Sequence, residues 1–444
     1  MIKIKKQTPI VILFTLILAW AANNLTIRIV AALASTVGET TKSTIFYATI
    51  LLTIAALSDK RRVISPENIF IVFYIFFYIV GLIYHTSTFP GIISSEATTL
   101  IVLGLPAGLL GIKLSKITAS KTNNQSKTYR IKKTRILAIF FCITATAIAI
   151  TWYIRIGTIP ILAEDIEKAR ITLAEGTFRH RQAISIFVPF FLLYLITAIS
   201  QEKVSNRDKA TIIICFITGS FLLLSQGFRT FMLGFWMICL FSAYKSKRSI
   251  VSKKRLVIAF IIITTAIFGF NIIRYSSAEL NIGSDKSDIE IAMTNLVVRP
   301  VAAQETLDYF PKIVPHEGFN TYIRGLGFIL PTSDKGVGIW LKEDVFGKEF
   351  AGGGYNPGII GEIIIAFGKN FVVFVMIIYG YTIGKLFNLT PSTNKTLNTA
   401  ASSTVFFYAL IAISPGISNS IMPITWYSAI LILAHFLSKS RGRR

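Results

Sequence analysis

The chain has 444 residues, 53% of them hydrophobic and 15% charged, with mean hydropathy +0.62 and a formal net charge of +24. That balance excludes a soluble globular enzyme and describes an all-α polytopic integral membrane protein. Its three cysteines lie inside apolar runs, which excludes a disulfide framework, and no Cys/His spacing for a metal occurs.

A membrane-crossing helix needs about 20 mostly apolar residues. Twelve stretches qualify in chain order: 9–30, 42–57, 66–84, 96–113, 136–154, 184–200, 211–227, 230–244, 256–274, 370–386, 400–413 and 423–438. The leader, with Lys3, Lys5 and Lys6 ahead of an apolar run and small residues at Ala19 and Ala21, has the layout of a signal peptide. With so many spans behind it, it reads as an uncleaved first span. The stretch 211–244 contains one charged residue, Arg229. An arginine at the centre of a membrane helix costs about 2.5–3.5 kcal/mol. A tight turn at Gly227, Phe228 and Arg229 splits the stretch in two and puts the guanidinium at a membrane face instead.

With both termini in the cytoplasm and the spans alternating, the cytoplasmic loops hold most of the Lys and Arg and few of the acids. That side then carries essentially all of the net +24, which is the positive-inside bias. The basic clusters abut span ends, so topology and anionic lipid explain them and no nucleic-acid partner is implied. The whole chain, 1–444, reads as a single membrane domain with two large external loops, 155–183 and 275–369. Loops of the second length are usually functional. Within it, 289–309 has apolar residues at helical spacing (Ile291, Leu296, Val297, Val301, Leu307), which predicts a helix against the membrane face. Turn-rich stretches follow at PHEG, LPTSDKG and AGGGYNPG, and Gly358–Phe367 reads as a short helix entering the next span.

The external face offers cations and acids. Arg229 opens a helix whose amino terminus adds positive potential, a combination suited to phosphate or pyrophosphate. Arginine binds phosphate oxygens bidentately and keeps its charge. Arg299 sits in an otherwise apolar helical segment before Pro300, and Arg179, His180 and Arg181 form a dense local cation before the sixth span. Glu362, flanked by isoleucines, must either pair with an arginine or have a raised pKa. His316, beside Glu317 in a turn, could accept a proton near neutral pH. The pairs Asp288/Glu290 and Asp165/Glu167 have metal-compatible spacing but lie in ordinary mixed-charge helical stretches, so no metal and no cofactor is expected. No Walker loop, dinucleotide turn, nucleophile elbow or HExxH occurs. Any reaction therefore uses a membrane-borne, already activated donor on the outside.

Four short motifs then carry a resemblance. Gly318-Phe319-Asn320-Thr321-Tyr322, Leu330-Pro331, Gly358-Ile359-Ile360-Gly361-Glu362 and Phe367-Gly368 together resemble the large periplasmic loop of Wzy-type O-antigen and oligosaccharide repeat-unit polymerases. SQGFRTFML is similar to the pattern in which an arginine opens a span at the periplasmic face in these polymerases and in O-antigen ligases. The paired R-x10-G repeat of some members is absent, because Arg181 and Phe310 stand where the glycines would.

The resemblance implies a metal-independent glycosyltransferase of the bacterial inner membrane. It would join repeat units carried on undecaprenyl pyrophosphate, with a chain-length regulator and a flippase as partner proteins. Within it, Arg229 and Arg299 would clamp the pyrophosphate, and Glu362 or His316 would be the base for the acceptor hydroxyl. Arg324, Tyr355, Arg179 and Arg181 would contact substrate. An O-antigen ligase is the alternative within the same chemistry, and a lipid-linked oligosaccharide flippase the alternative from another class. Nearly charge-free spans and a structured outer loop favour the enzyme.

Overall fold

The protein's computed structural model describes residues 50–58 in part, 64–117, 131–163, 169, 178–201, 203–226, 229–246, 265, 288–326, 335–348, 354–388 and 395–438. The expected spans 9–30 and 256–274, and most of 42–57, lie outside these residues. No strand occurs among the described residues. In order, the helices are α1 (Pro66–Thr88, with a π-helical insert at Ile75–Ile79), α2 (Ser95–Ile117), α3 (Ile131–Ile156), α4 (Phe178–Ser185), α5 (Phe187–Ile199), α6 (Asn206–Leu224) and α7 (Arg229–Ser246). After them come α8 (Asp288–Tyr309), α9 (Asn320–Arg324), α10 (Val337–Trp340), α11 (Gly358–Phe367), α12 (Val372–Asn388), α13 (Lys395–Ile411) and α14 (Ser418–Ser438). Among the described residues, five stretches are long and apolar enough to cross a membrane: Pro66–Thr88, Ser95–Ile117, Lys133–Ile156, Gln182–Ile199 and Lys369–Asn388. The chain is thus a polytopic helical membrane protein.

Starts and packing follow from local chemistry. Ser65 accepts the Asn68 N–H at 3.1 Å and Pro66 stands in the first turn, a standard opening for α1. Lipid tails are as apolar as leucine, so membrane helices associate through close backbone approach at small residues. Helices α2 and α12 do so. A Cβ on Gly380 would lie 1.9 Å from the Gly108 carbonyl oxygen, one on Gly111 2.0 Å from the Ile377 carbonyl oxygen, and one on Gly384 2.0 Å from Ser115 Oγ. Around this seam a stacked run, Phe70–Tyr74 at 5.7 Å and Tyr74–Tyr78 at 5.1 Å, lines the inner face of α1.

The two ends of the bundle differ. One end gathers Lys116 with Glu67 at 2.5 Å, Arg135 with Asp208 at 3.3 Å, and Lys245, whose Nζ donates to Ser402 Oγ at 3.0 Å. At the other end lies the 89–94 turn, where Gln304 of α8 accepts the Ser94 N–H at 2.9 Å and Lys369 pairs with Glu96 at 2.6 Å. The helix expected at 289–309 is therefore present, and it packs on the spans: a Cβ on Gly81 would lie 2.9 Å from Val297 Cα, and His85 Nε2 donates to the Val297 carbonyl at 2.9 Å.

Helix α11 has the expected bounds and leads into the next span, but it starts from inside the bundle. It is a re-entrant helix. Its first turn lies against Tyr78 and Gly104: the Ile360 N–H donates to Tyr78 Oη at 3.0 Å, and a Cβ on Gly104 would lie 3.1 Å from Ile360 Cδ1. Those two residues are some ten positions from Thr88 and Ser95, which at 1.5 Å per residue is about 13–15 Å in from that end. From there α11 rises to Gly368, whose φ of +88° reverses the chain into α12. The physical reason is the glycine at each terminus, since Gly358 also has positive φ (+70°).

Candidate functional site

The deep end of α11 meets the turn between α13 and α14. The Ile359 N–H donates to the Ile413 carbonyl at 3.2 Å, which carries this turn to the depth of Tyr78. Glu362, one turn further along α11, is fully buried (0% exposed). Its carboxylate accepts the backbone N–H of Ser418 at 2.9 Å and that of Ile417. Two opening donors of α14 are thereby satisfied, and the negative charge sits at a positive helix terminus. Burial pushes this carboxyl up to about 7, while the Ser418 and Ile417 contacts pull it down. Gly416 makes the approach feasible, with φ +98° and an added Cβ that would lie 3.0 Å from the carboxyl atoms.

Arg299 reaches the same turn from α8. Its Nε donates to Ser414 Oγ at 3.2 Å and its Nη1 to the Asn356 carbonyl at 2.6 Å. The Asn356 side chain in turn accepts from Asn419 Nδ2 at 3.2 Å. Tyr78 completes the cluster. Its hydroxyl caps α11, and a Cβ on Gly358 would lie 2.3 Å from it. The π-insert holds Tyr78, and such inserts are frequent at functional sites. One fixed cation, one buried carboxylate and several amide and hydroxyl groups thus converge below the 89–94 end, with Arg299 half-buried and Asn419 exposed. An arginine held at this depth by protein partners costs far less than one facing lipid.

The other residues singled out from sequence fall in different places. Glu362 was expected to pair with an arginine or to have a raised pKa. It does the second, and among the described residues no arginine pairs with it. His316 is exposed and lies at the opposite end of α11, where a Cβ on Gly368 would come 2.9 Å from its Nε2. The length of α11, about 15 Å, separates it from Arg299. Arg324 is held by Glu317 at 3.4 Å and lies 4.7 Å over the Trp340 ring. The next residue, Gly325, touches the α14 start, a Cβ there lying 2.4 Å from the Ser418 carbonyl oxygen. Tyr355 donates to Glu305, which also takes Lys348 at 2.8 Å. Burial and Glu305 push the Tyr355 hydroxyl pKa far up, so it stays protonated.

Arg229 is the first residue of α7. Helix α7 runs antiparallel to α13, with Gly234 against Phe407 and Lys245 against Ser402, so Arg229 lies at the end of the bundle that holds the Ser414 turn. Its side chain, and those of Arg179 and Arg181 in α4, lie outside the described residues.

Sequence reasoning missed Tyr78, Asn356 and the turn Ser414-Pro415-Gly416-Ile417-Ser418-Asn419. The turn left a readable signal, a Ser-Pro-Gly break with polar residues between two apolar runs. The π-insert left none.

The sequence model of one protein family, described as "Putative O-antigen polymerase", matches residues 62–426 of the chain. No curated protein and no solved structure matches it.

Proposed function

The chain belongs to the O-antigen polymerase family, and from that premise we propose a glycosyltransferase that joins lipid-pyrophosphate-linked glycan repeat units at the outer face of the bacterial inner membrane. Arg299 is its central pyrophosphate ligand. The observation that carries this reading is the position of Arg299, about 10 Å or more in from the 89–94 end, on a turn that two other chain segments also hold. A lipid-linked donor has its pyrophosphate between the tail and the sugars, so a cation recessed between the helices, on the tail side of the outer end, suits the phosphates better than the distal sugars.

In the reaction the acceptor hydroxyl oxygen forms a bond to the anomeric carbon as the bond from that carbon to the pyrophosphate breaks, and the hydroxyl proton passes to the departing pyrophosphate or to water. The electron pair and the growing negative charge leave with the lipid pyrophosphate. A preorganised guanidinium stabilises that charge most in the transition state. Arg229, at the same end of the bundle, is the second phosphate ligand in this reading. Glu362 acts as a positioning residue: its oxygens hold the Ile417 and Ser418 N–H groups and so fix Ser414, the partner of Arg299. The basic end is cytoplasmic, with both termini.

The test is a glycan gel from a deletion strain complemented with Arg299→Ala. Removing one preorganised contact to a developing charge typically costs about 10²–10³ in rate. The expected pattern is one repeat unit on the lipid core in place of a ladder, at unchanged abundance in the membrane. A full ladder would remove Arg299 from the site. Loss of every repeat unit would point to a ligase or flippase instead.

A further inference from the structure

The outer block carries an apolar surface that the reaction site does not use. Phe319, Ile323 and Phe371 are 74%, 47% and 47% exposed. They form one patch through Phe367, whose ring lies 5.2 Å from Phe319 and 6.3 Å from Phe371. Phe319 and Ile323 lie four residues apart and share one side of the short helix α9. Its other residues turn inward or to water: Thr321 is fully buried, and Arg324 is held by Glu317 and Trp340. The patch does not swing free. The Glu317 and Gly318 N–H groups donate to the Ile365 and Ala366 carbonyls at 3.0 and 2.9 Å, which ties the start of α9 to the upper end of α11.

We propose that this patch is immersed in the outer leaflet of the bilayer, with α9 lying in the headgroup–acyl boundary as an in-plane anchor. The occupant follows from continuity. Phe371 directly precedes α12, within the membrane-crossing stretch Lys369–Asn388, and Ile378, two turns further along, is also exposed. Lipid covers an exposed apolar residue on a span. The Phe371–Phe367–Phe319 ring series carries that surface onto α9 without a break, and the Lys369–Glu96 ion pair next to it marks the polar edge of the span. Apolar residues on one side and a pinned arginine on the other fit an interfacial segment, and aromatic rings concentrate at this boundary. The consequence reaches the site, because Gly325 at the end of α9 packs on Ser418. The bilayer surface thereby sets the position of the α14 start.

The test needs no substrate. Single cysteines replace Phe319, Ile323, Ile378 or Glu343 in the full chain, with Cys142, Cys215 and Cys239 changed to alanine. Each is spin-labelled and reconstituted in vesicles of phosphatidylethanolamine and phosphatidylglycerol. Power saturation then compares collisions with oxygen, which concentrates in lipid, and with a water-soluble nickel chelate. Ile378→Cys is the lipid reference and shows that the chain is inserted; Glu343→Cys is the aqueous reference. The expected oxygen-to-nickel ratio at 319 and 323 is severalfold above that at 343 and approaches that at 378. A ratio equal to that at 343, or shielding from both reagents, overturns the proposal, the latter in favour of a protein partner.

Discussion

Gly416→Ala separates the packing of the site from the backbone strain of the substitution. Gly416 has φ +98° and Gly91 has φ +92°, so alanine at either position carries a similar conformational cost, of order 1–3 kcal/mol. The surroundings differ. Nothing lies within 4 Å of a Cβ on Gly91, whereas one on Gly416 would sit 3.0 Å from Cδ, Oε1 and Oε2 of Glu362. Glu362 is fully buried and its oxygens already hold the Ile417 and Ser418 N–H groups, so it can yield only by loosening those bonds. A buried N–H left without a partner costs about 1–3 kcal/mol, a factor of roughly 5 to 150 in favour of a displaced turn. A displaced turn takes Ser414 away from Arg299. The expected result is a similar modest loss of thermal stability in both variants from strain, a further loss in Gly416→Ala alone, and a glycan ladder shortened or absent only there. The assays are thermal unfolding of purified protein in detergent and a glycan gel beside an immunoblot of membranes. Equal stability and a full ladder in both variants would refute the idea that the Glu362–turn contact organises the site.

Three other outcomes are expected. Gly380→Ala drives a methyl group into the Gly108 carbonyl across the α2–α12 seam, 1.9 Å away. Both partners are backbone, so little folded protein should survive fluorescence-detected size exclusion. Arg229→Lys keeps the charge but loses the planar fork; it should shorten the ladder at ordinary abundance, whereas a lipid anchor would tolerate it. Because Glu362 takes up its proton near pH 7 in the fold and near its ordinary, lower value when unfolded, the native state binds more protons between those limits. Stability should therefore fall as pH rises toward 7 and level off above it. Glu362→Gln, which cannot titrate, should lose that slope in tryptophan-monitored unfolding.

What the sequence made legible follows from where its signals are strong. Span positions came from apolar length, and the membrane-crossing stretches Pro66–Thr88, Ser95–Ile117, Lys133–Ile156, Gln182–Ile199 and Lys369–Asn388 stand close to the expected 66–84, 96–113, 136–154, 184–200 and 370–386. Helix α8 came from its 3.6-residue periodicity. What stayed hidden depends on contacts between distant segments. Gly358–Phe367 has the composition of a span fragment, and apolar composition alone does not tell a re-entrant helix from a lead-in. The deciding contacts are with Tyr78, Gly104 and Ile413, each many residues away. The glycines at 358 and 368 could have hinted at it, since each permits the positive φ that turns the chain.

Arg229 and Arg299 show the same limit from opposite sides. The isolation of Arg229 in 211–244 made it conspicuous, because hydropathy measures how far one residue departs from its neighbours along the chain. The surroundings of Arg299 along the chain are less uniform, yet in the fold it is the one tied to Ser414 and Asn356, on segments far from it in sequence. A cation held below the membrane surface needs partners that replace water around it, and those partners come from wherever the chain returns to the same depth. Here that is the 354–358 segment ahead of α11 and the Ser414 turn. Both are brought inward because α11 begins halfway down the bundle, and Glu362 within α11 fastens the second of them. The re-entrant helix is thus the element on which Arg299 depends. Moving its lower end should disturb Arg299 as surely as replacing the arginine itself.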